Sequence, residues 1–313
     1  HPINIDGIGG GVAVTTKIAI LSKSEDEWAD IDYFFAQVSV ETKLVDFKPT
    51  CGNMLSGVGP AAIEMGLITA IGDSAEVKIR AVNTGARIVA RVQIQDGMPR
   101  YDGSAQIDGV PGSAAPVELN FMNVAGSSTG AFLPSGNLID SFEGVEVTCM
   151  DVAMPMVIAR AADFGLTGAE TREELDANRD FFAKMETVRL AAGAAMGMGD
   201  CSRSVTPKFG LLYPVEGAGH IGARYFMPWE THPTMAVTGS QALASCALTP
   251  GTIADKMMTI PKERPAKITL HHLMGEMDVL VDYDMADGQF VHKSAGLVRT
   301  ARKLAQGDLF VPA

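Results

Sequence analysis

Four cysteines are spread over 313 residues: Cys51, Cys149, Cys201 and Cys246. None lies in a C-x-x-C or C-x-x-H spacing, so zinc ligation through thiols is not expected, and a chain of this length needs no disulfide staple. The four read as reduced thiols of a cytoplasmic protein, mostly core filler. Positive charge is also scarce: 25 Lys and Arg stand against 37 Asp and Glu, a net charge of −12. That balance excludes nucleic acid or an anionic membrane as the main partner. It also means that an acidic small molecule must be held by local donors, because the field of the whole chain repels it. No run of roughly 18 apolar residues is free of charge, Gly or Pro, so no membrane-spanning helix is expected. Dinucleotide, P-loop and nucleophile-elbow motifs are missing, and the Gly7 to Gly11 run lacks the helix that phosphate binding needs. Hydride transfer, phosphoryl transfer and serine hydrolysis have no support.

What is present is a 47% hydrophobic content, enough for a large core in one or two domains, and an internal echo. Residues 12–21 read as an element already inside a domain. Residues 32–45 read as strands, with Tyr33, Phe34, Val38 and Val40 supplying β character. Thr50-Cys51-Gly52-Asn53-Met54 then opens an apolar segment over 55–65. Alternating residues 76–82 and 87–92 flank Asn83-Thr84-Gly85, the pattern of a β-hairpin. The second half repeats this order: a strand over 222–227, Thr238-Gly239-Ser240, an apolar segment over 241–248, then strands over 267–271 and 277–281 around Met274-Gly275. Both apolar segments are hydrophobic nearly all round, and such a helix must be wrapped on every side. The fold expected is α+β: two pseudo-symmetric domains, each a curled sheet around one central helix, with the helix starts facing a shared cleft. Residues 181–198 read as an amphipathic surface helix with an acidic lead-in at 171–176. Residues 126–130 and 134–137 read as connections.

Cys51-Gly52-Asn53 is the sharpest chemical feature. A thiol at a helix start feels the positive end of the dipole, which favours thiolate. Gly52 lets a ligand approach the backbone, and the free N–H groups of Asn53 and Met54 can hold a carboxylate. A carboxylate beside an activated thiol suits proton abstraction next to a carbonyl. The residues equally allow a helix capped by Thr50 or Asn53 with a buried cysteine nearby. Lys17 lies in an apolar segment, where burial makes it a candidate proton carrier, although a strand-face lysine pointing to water is the plainer reading. Lys208, Arg224 and His232 are the cations near the second helix start and fit a second carboxylate, against the plainer reading of His232 as a structural histidine. His271-His272 on one strand point to opposite faces and do not suit a metal site.

Ile5-Asp6-Gly7-Ile8-Gly9-Gly10, Thr16-Lys17, Asp32-Tyr33-Phe34-Phe35-Ala36-Gln37-Val38, Cys51-Gly52-Asn53-Met54-Leu55-Ser56-Gly57-Val58-Gly59-Pro60, Asn83-Thr84-Gly85, Ile107-Asp108-Gly109-Val110-Pro111-Gly112, Leu133-Pro134-Ser135-Gly136-Asn137 and Gly296-Leu297-Val298-Arg299-Thr300-Ala301-Arg302 together resemble the PrpF family of 2-methylaconitate cis–trans isomerases and 4-oxalomesaconate tautomerases. The likeness looks closer to the 4-oxalomesaconate branch. It implies the diaminopimelate-epimerase fold, with residues 1–115 plus about 293–313 as the first domain and 116–292 as the second. The active site is expected between them. The resemblance also implies a 1,3-allylic proton shift on a small unsaturated di- or tricarboxylate, with no cofactor and no metal. Its acid/base pair falls on Lys17 and Cys51. Gly52, Asn53, Met54, Thr84, Gly85, Lys208, Arg224, His232, Thr238, Gly239 and Ser240 are the expected substrate-binding positions. A homodimer is compatible with it. Epimerases of this fold carry a second cysteine at the second helix start, where this chain has Val237-Thr238-Gly239-Ser240; this disfavours amino-acid epimerisation. A non-catalytic carboxylate-binding protein is the remaining alternative. The family's N-terminal strand and R-G-G-T-S-K-G loop would lie upstream of His1, and Trp229 and Glu230 replace a more basic stretch.

Overall fold

The computed structural model describes residues 10, 15–39, 44–47, 51–108, 110–227 and 229–310. Residues 1–9, 12–14, Thr50 and Gly109, which carry parts of the motifs above, lie outside the described residues. The chain forms two compact units, His1–Leu119 with Val298–Ala313, and Asn120–Leu297.

Among the described residues the first strand is β1 (Lys17–Lys23), which overlaps the 12–21 reading and runs two residues past it. β2 (Ile31–Ser39) pairs antiparallel with it, from Lys17 opposite Gln37 to Lys23 opposite Ile31. The short β3 (Leu44–Asp46) pairs with the far end of β2. Helix α1 (Gly52–Glu64) follows. β4 (Ser74–Ala81) and β5 (Ala86–Gln95) then form the hairpin expected around Asn83-Thr84-Gly85, and β6 (Met98–Pro99) adds to β5. β4 lies parallel to β2. Alternation decides which side chains turn inward: Val77, Ile79 and Ala81 on β4 and Ile88, Ala90 and Val92 on β5 are all buried. α1 packs against β1, β5 and β6 and buries Leu55, Val58, Ala62 and Ile63. Each of the larger three contributes about 1.5–3 kcal/mol by leaving water. β7 (Pro116–Met122) is the next strand of the chain.

The second unit is built on β8 (Asp140–Phe142), β9 (Val145–Asp151), β10 (Pro155–Arg160), β11 (Lys208–Pro214), β12 (His220–Phe226), β13 (Ala266–His272), β14 (Gly275–Ala286) and β15 (Gln289–Thr300). Their order across the sheet is β15-β14-β13-β12-β11-β10-β9-β8. The β10–β11 and β12–β13 pairs are parallel. Helix α4 (Val237–Leu248) buries ten of its residues, Gly239 to Leu248, and packs against all six strands from β9 to β14. Six flat strands would span about 24 Å at the usual spacing, more than one helix surface can reach, so the sheet must curl around α4.

Two further helices precede β11. Thr171 caps α2 (Arg172–Ala177) in a reciprocal box with Glu174. The acidic lead-in is therefore a helix in its own right. α3 (Arg179–Ala195) buries Phe181, Met185, Val188 and Ala192 in one cluster with Val147, Val157, Phe209 and Leu211. A Cβ on Gly210, between those last two, would touch Leu243 of α4. Successive β11 residues thus face α3 and α4 in turn, which is why β10 and β11 read as unbroken apolar runs. Arg189 of α3 is fully buried. It pairs with Glu186 at 2.6 Å and donates to the carbonyls of Cys201, Ser204 and Pro207, holding the loop into β11. The connection at 126–130 is tied by Asp151, whose carboxylate accepts from Ser128 N, Thr129 N and Thr129 Oγ1.

Neither unit boundary falls in a loop. β7 and β15 each run through one.

Candidate functional site

In the first unit Cys51 is the N-cap of α1, with extended backbone at φ −132° and ψ 110°. The Cys51 side chain makes no cap bond, and the first turn of the helix carries no acidic residue. Of the two residues that could have capped it, Asn53 is already inside the helix, and Thr50 lies outside the described residues. The Cys51 carbonyl accepts from Leu55 N at 3.2 Å. The N–H groups of Gly52, Asn53 and Met54 have no acceptor within the helix, so the positive end of the dipole is left for an anion. Cys51 is half-buried; Cys149, Cys201 and Cys246 are buried. Burial pushes the Cys246 thiol up to about 12 and Cys149 higher still, which keeps both protonated and inert.

Lys17 opens β1, one of the strands that α1 packs against. Its Nζ donates to Gln37 Oε1 and stands 5.4 Å from the centre of the Phe35 ring. Gln37 is the cross-strand partner of Lys17, and its own amide nitrogen donates to Thr16 O at 3.1 Å. The side-chain oxygen is thereby turned toward the lysine. Gln37 was within the sequence motif, but only the strand register shows that it meets Lys17.

Thr84 and Gly85 form the β4–β5 turn, both N–H groups donating to Ala81 O. The neighbour passed over in the sequence is Asn83. β4 leaves β2 after Ala81 pairs with Tyr33, and the Asn83 amide continues the ladder. It accepts from Phe35 N at 2.8 Å and donates to Phe35 O at 2.8 Å and to Phe47 O at 2.6 Å. That last bond ties down the chain four residues before Cys51.

In the second unit α4 starts at Val237, after the N-cap Ala236, again with no side-chain cap and no acidic first turn. Thr238 Oγ1 donates to Met154 Sδ at 3.2 Å, and Ser240 Oγ to Val237 O at 2.8 Å. Gly239 serves packing: a Cβ there would lie 2.3 Å from Tyr225 Cε2. Lys208 is half-buried at the start of β11, and burial together with the charge of Arg189 lowers its pKa. His232 is also half-buried, and burial is the main cause that lowers its pKa. Its Nδ1 accepts from Thr234 N at 3.0 Å, which leaves the proton on Nε2. His232 is therefore a neutral donor, not the cation expected. Arg172 and Lys208 add positive charge around it. Arg172 was not foreseen; it pairs with Asp176 at 3.3 Å on its own helix.

Arg224 corrects a second expectation. Its guanidinium turns inward, donating to Tyr213 Oη at 2.7 Å, Ala223 O at 2.8 Å and His271 O at 3.3 Å, and also to Gly168 O. These bonds join β11, β12, β13 and the 168 loop, so Arg224 is a structural clamp. No feature local to Arg224 in the sequence foretells this, because every partner except Ala223 is distant along the chain.

Residues 1–312 match the family described as PrpF protein. The chain belongs to the PrpF family. It is 44% identical over 310 residues to the (4E)-oxalomesaconate Delta-isomerase of Novosphingobium sp. (strain KA1), covering 99% of this chain and 86% of that one. It is 42% identical over 303 residues to the 4-oxalomesaconate tautomerase of Pseudomonas putida, covering 97% and 83%. The crystal structure of a methylitaconate-delta-isomerase superposes with a TM-score of 0.88 at 31% identity, covering 97% of this chain and 83% of that one. The PrpF chain is thus an isomerase of the α+β epimerase-like fold. No described helix is long and apolar enough to cross a membrane.

Proposed function

We propose that this PrpF isomerase moves a proton across an allylic unit of a small unsaturated di- or tricarboxylate of the 4-oxalomesaconate kind, with Lys17 and Cys51 as the acid/base pair and no cofactor. One observation carries the reading: the half-buried Cys51 thiol sits at the uncompensated start of an apolar helix, against the strand that Lys17 opens. One of the two groups removes a proton from the carbon next to the conjugated carboxylate. The electron pair passes into the π system as a dienolate, which the N–H groups of Gly52, Asn53 and Met54 stabilise. The other group returns a proton at the far carbon, and the double bond moves between the two. Conjugation already acidifies the C–H bond, so matched acid and base suffice, each contributing about 10²–10⁴-fold. The chain's kinship with the two oxalomesaconate enzymes supports the substrate class. Lys208, His232 and the first turn of α4 are proposed carboxylate donors in their own right.

Proton NMR in deuterated water tests the reading. Deuterium should enter 4-oxalomesaconate, aconitate or methylitaconate at the allylic positions in the presence of the protein. No exchange into any of them would overturn the substrate class. Cys51→Ala and Lys17→Ala should each abolish exchange, and full activity in both would overturn the assignment of the pair. Thr238, whose hydroxyl is already bound to Met154, offers no second thiol for amino-acid epimerisation.

A further inference from the structure

We propose that His220, His271 and Glu276 form a site for a divalent transition-metal ion of the Zn²⁺ type, on the second unit and separate from the isomerase chemistry. Strand register brings the three together. His271 on β13 stands directly opposite Glu276 on β14. On the other side β12 runs parallel to β13, with His220 opposite Thr269 and Gly222 opposite His271, so His220 is the diagonal neighbour of His271. Residues paired or two apart across strands share a face, and all three side chains therefore form one row across three adjacent strands. His272 points the other way, and its Nδ1 accepts from Met274 N. The spacing within β13 alone hid this, because the partner of His271 lies 51 positions away.

The donor set matches the chemistry of such an ion. His220 Nδ1 and His271 Nε2 face each other at 2.7 Å, and His271 Nδ1 lies 3.4 Å from Glu276 Oε1. One donor atom from each residue lies within 4.8 Å of the others, and this is the only such group of His, Cys, Asp and Glu among the described residues. Two imidazole nitrogens at 2.7 Å share one proton: one donates, the other offers its lone pair. An ion replacing that proton takes one lone pair from each ring. His271 gives it only one of its two nitrogens, so the His271 ring must turn until that nitrogen and the Glu276 carboxylate face the same ion. Zn²⁺ with nitrogen and oxygen ligands at its usual bond lengths sets neighbouring donors about 3.3 Å apart; the three donors lie within 4.8 Å of one another, so side-chain rotations that move them by up to about 1.5 Å would form the site. Water would complete the shell. Two imidazoles and a carboxylate favour Zn²⁺ and its neighbours over Ca²⁺ or Mg²⁺, which take all-oxygen sites.

Gly217 contributes to the placement. Its φ is +118°, and a Cβ there would lie 3.0 Å from His220 Cδ2. The turn before β12 is thus shaped around the His220 ring. An ion here would tie that turn to the tip of the β13–β14 hairpin.

The test is Zn²⁺ titration by calorimetry on the tag-free, chelator-treated chain. One ion per chain is expected, with binding weakened at least tenfold by His271→Gln and by His220→Gln and with isomerase turnover unchanged. Glu276→Gln, on an exposed position, gives a second readout should either histidine variant fail to fold, and it too should weaken binding about tenfold. Co²⁺ should give a spectrum without a thiolate charge-transfer band. Absence of binding, equal affinity in the variants, or a thiolate band assigning the ion to a cysteine would each overturn the proposal.

Discussion

Replacing Asn83 with alanine should destabilise the first unit by about 3 kcal/mol. The side chain stands in for a strand where β4 has left the sheet, making three hydrogen bonds to main-chain groups of Phe35 and Phe47. A typical hydrogen bond contributes about 1 kcal/mol net, and a polar group left buried and unpaired costs about 1–3 kcal/mol. Phe35 is 1% exposed, so its N–H and C=O bear that cost, whereas Phe47 is half-exposed and water can replace its bond. The assay is chemical denaturation of the wild type, Asn83→Ala and Asn83→Asp. Aspartate suits turns as well as asparagine does, but its second oxygen would face the two carbonyls that Asn83 now donates to. Asn83→Asp should therefore be at least as damaging as Asn83→Ala. A stable Asp variant, or an Ala variant within about 1 kcal/mol of wild type, would show that Asn83 only favours the turn and does not extend the sheet.

Two further outcomes follow from packing and burial. Gly239→Ala puts a Cβ against the Tyr225 ring and should cost about 1–3 kcal/mol, read as a lower melting temperature. His292 lies among Phe132 and Phe290, has no hydrogen-bond partner for either ring nitrogen among the described residues, and burial lowers its pKa to about 4 from 6.5. The unfolded chain then binds more protons than the folded one between those values, so stability is lost as pH falls from 6.5 toward 4; His292→Phe should flatten that slope in denaturation measured across the window, and an unchanged slope would refute it.

Much of the architecture was legible because its two central helices announce themselves. α1 and α4 are apolar on every side, and only a wrapping sheet can satisfy that. The two hairpins were equally plain, since alternation and turn residues are local signals. What stayed hidden depended on contacts distant in sequence. The segment 171–176 read as an acidic lead-in to the next helix because α2, at six residues, is too short to show periodicity. Arg224 read as a free cation because Tyr213, His271 and Gly168, which take bonds from its two Nη groups, lie on other strands and a loop. His232 read as charged because burial, the dominant influence on it, is set by the fold. The Lys17–Gln37 contact and the His220–His271 contact both follow from strand register, which the sequence of either strand alone does not contain.

The run of β7 and β15 through the unit boundaries has a consequence for how the protein is made. The second unit is one continuous stretch, Asn120–Leu297, whereas the first is completed only by Val298 onward. During synthesis the second unit is finished and free to fold while the first still lacks its closing segment. Lys303, which pairs with Glu64 at the end of α1, and Arg302, which donates to Pro111 O, are made only after the whole of the second unit. At about 5–20 residues per second, the helix that begins at Cys51 waits on the order of ten seconds for those partners, so the first unit is sealed after the second.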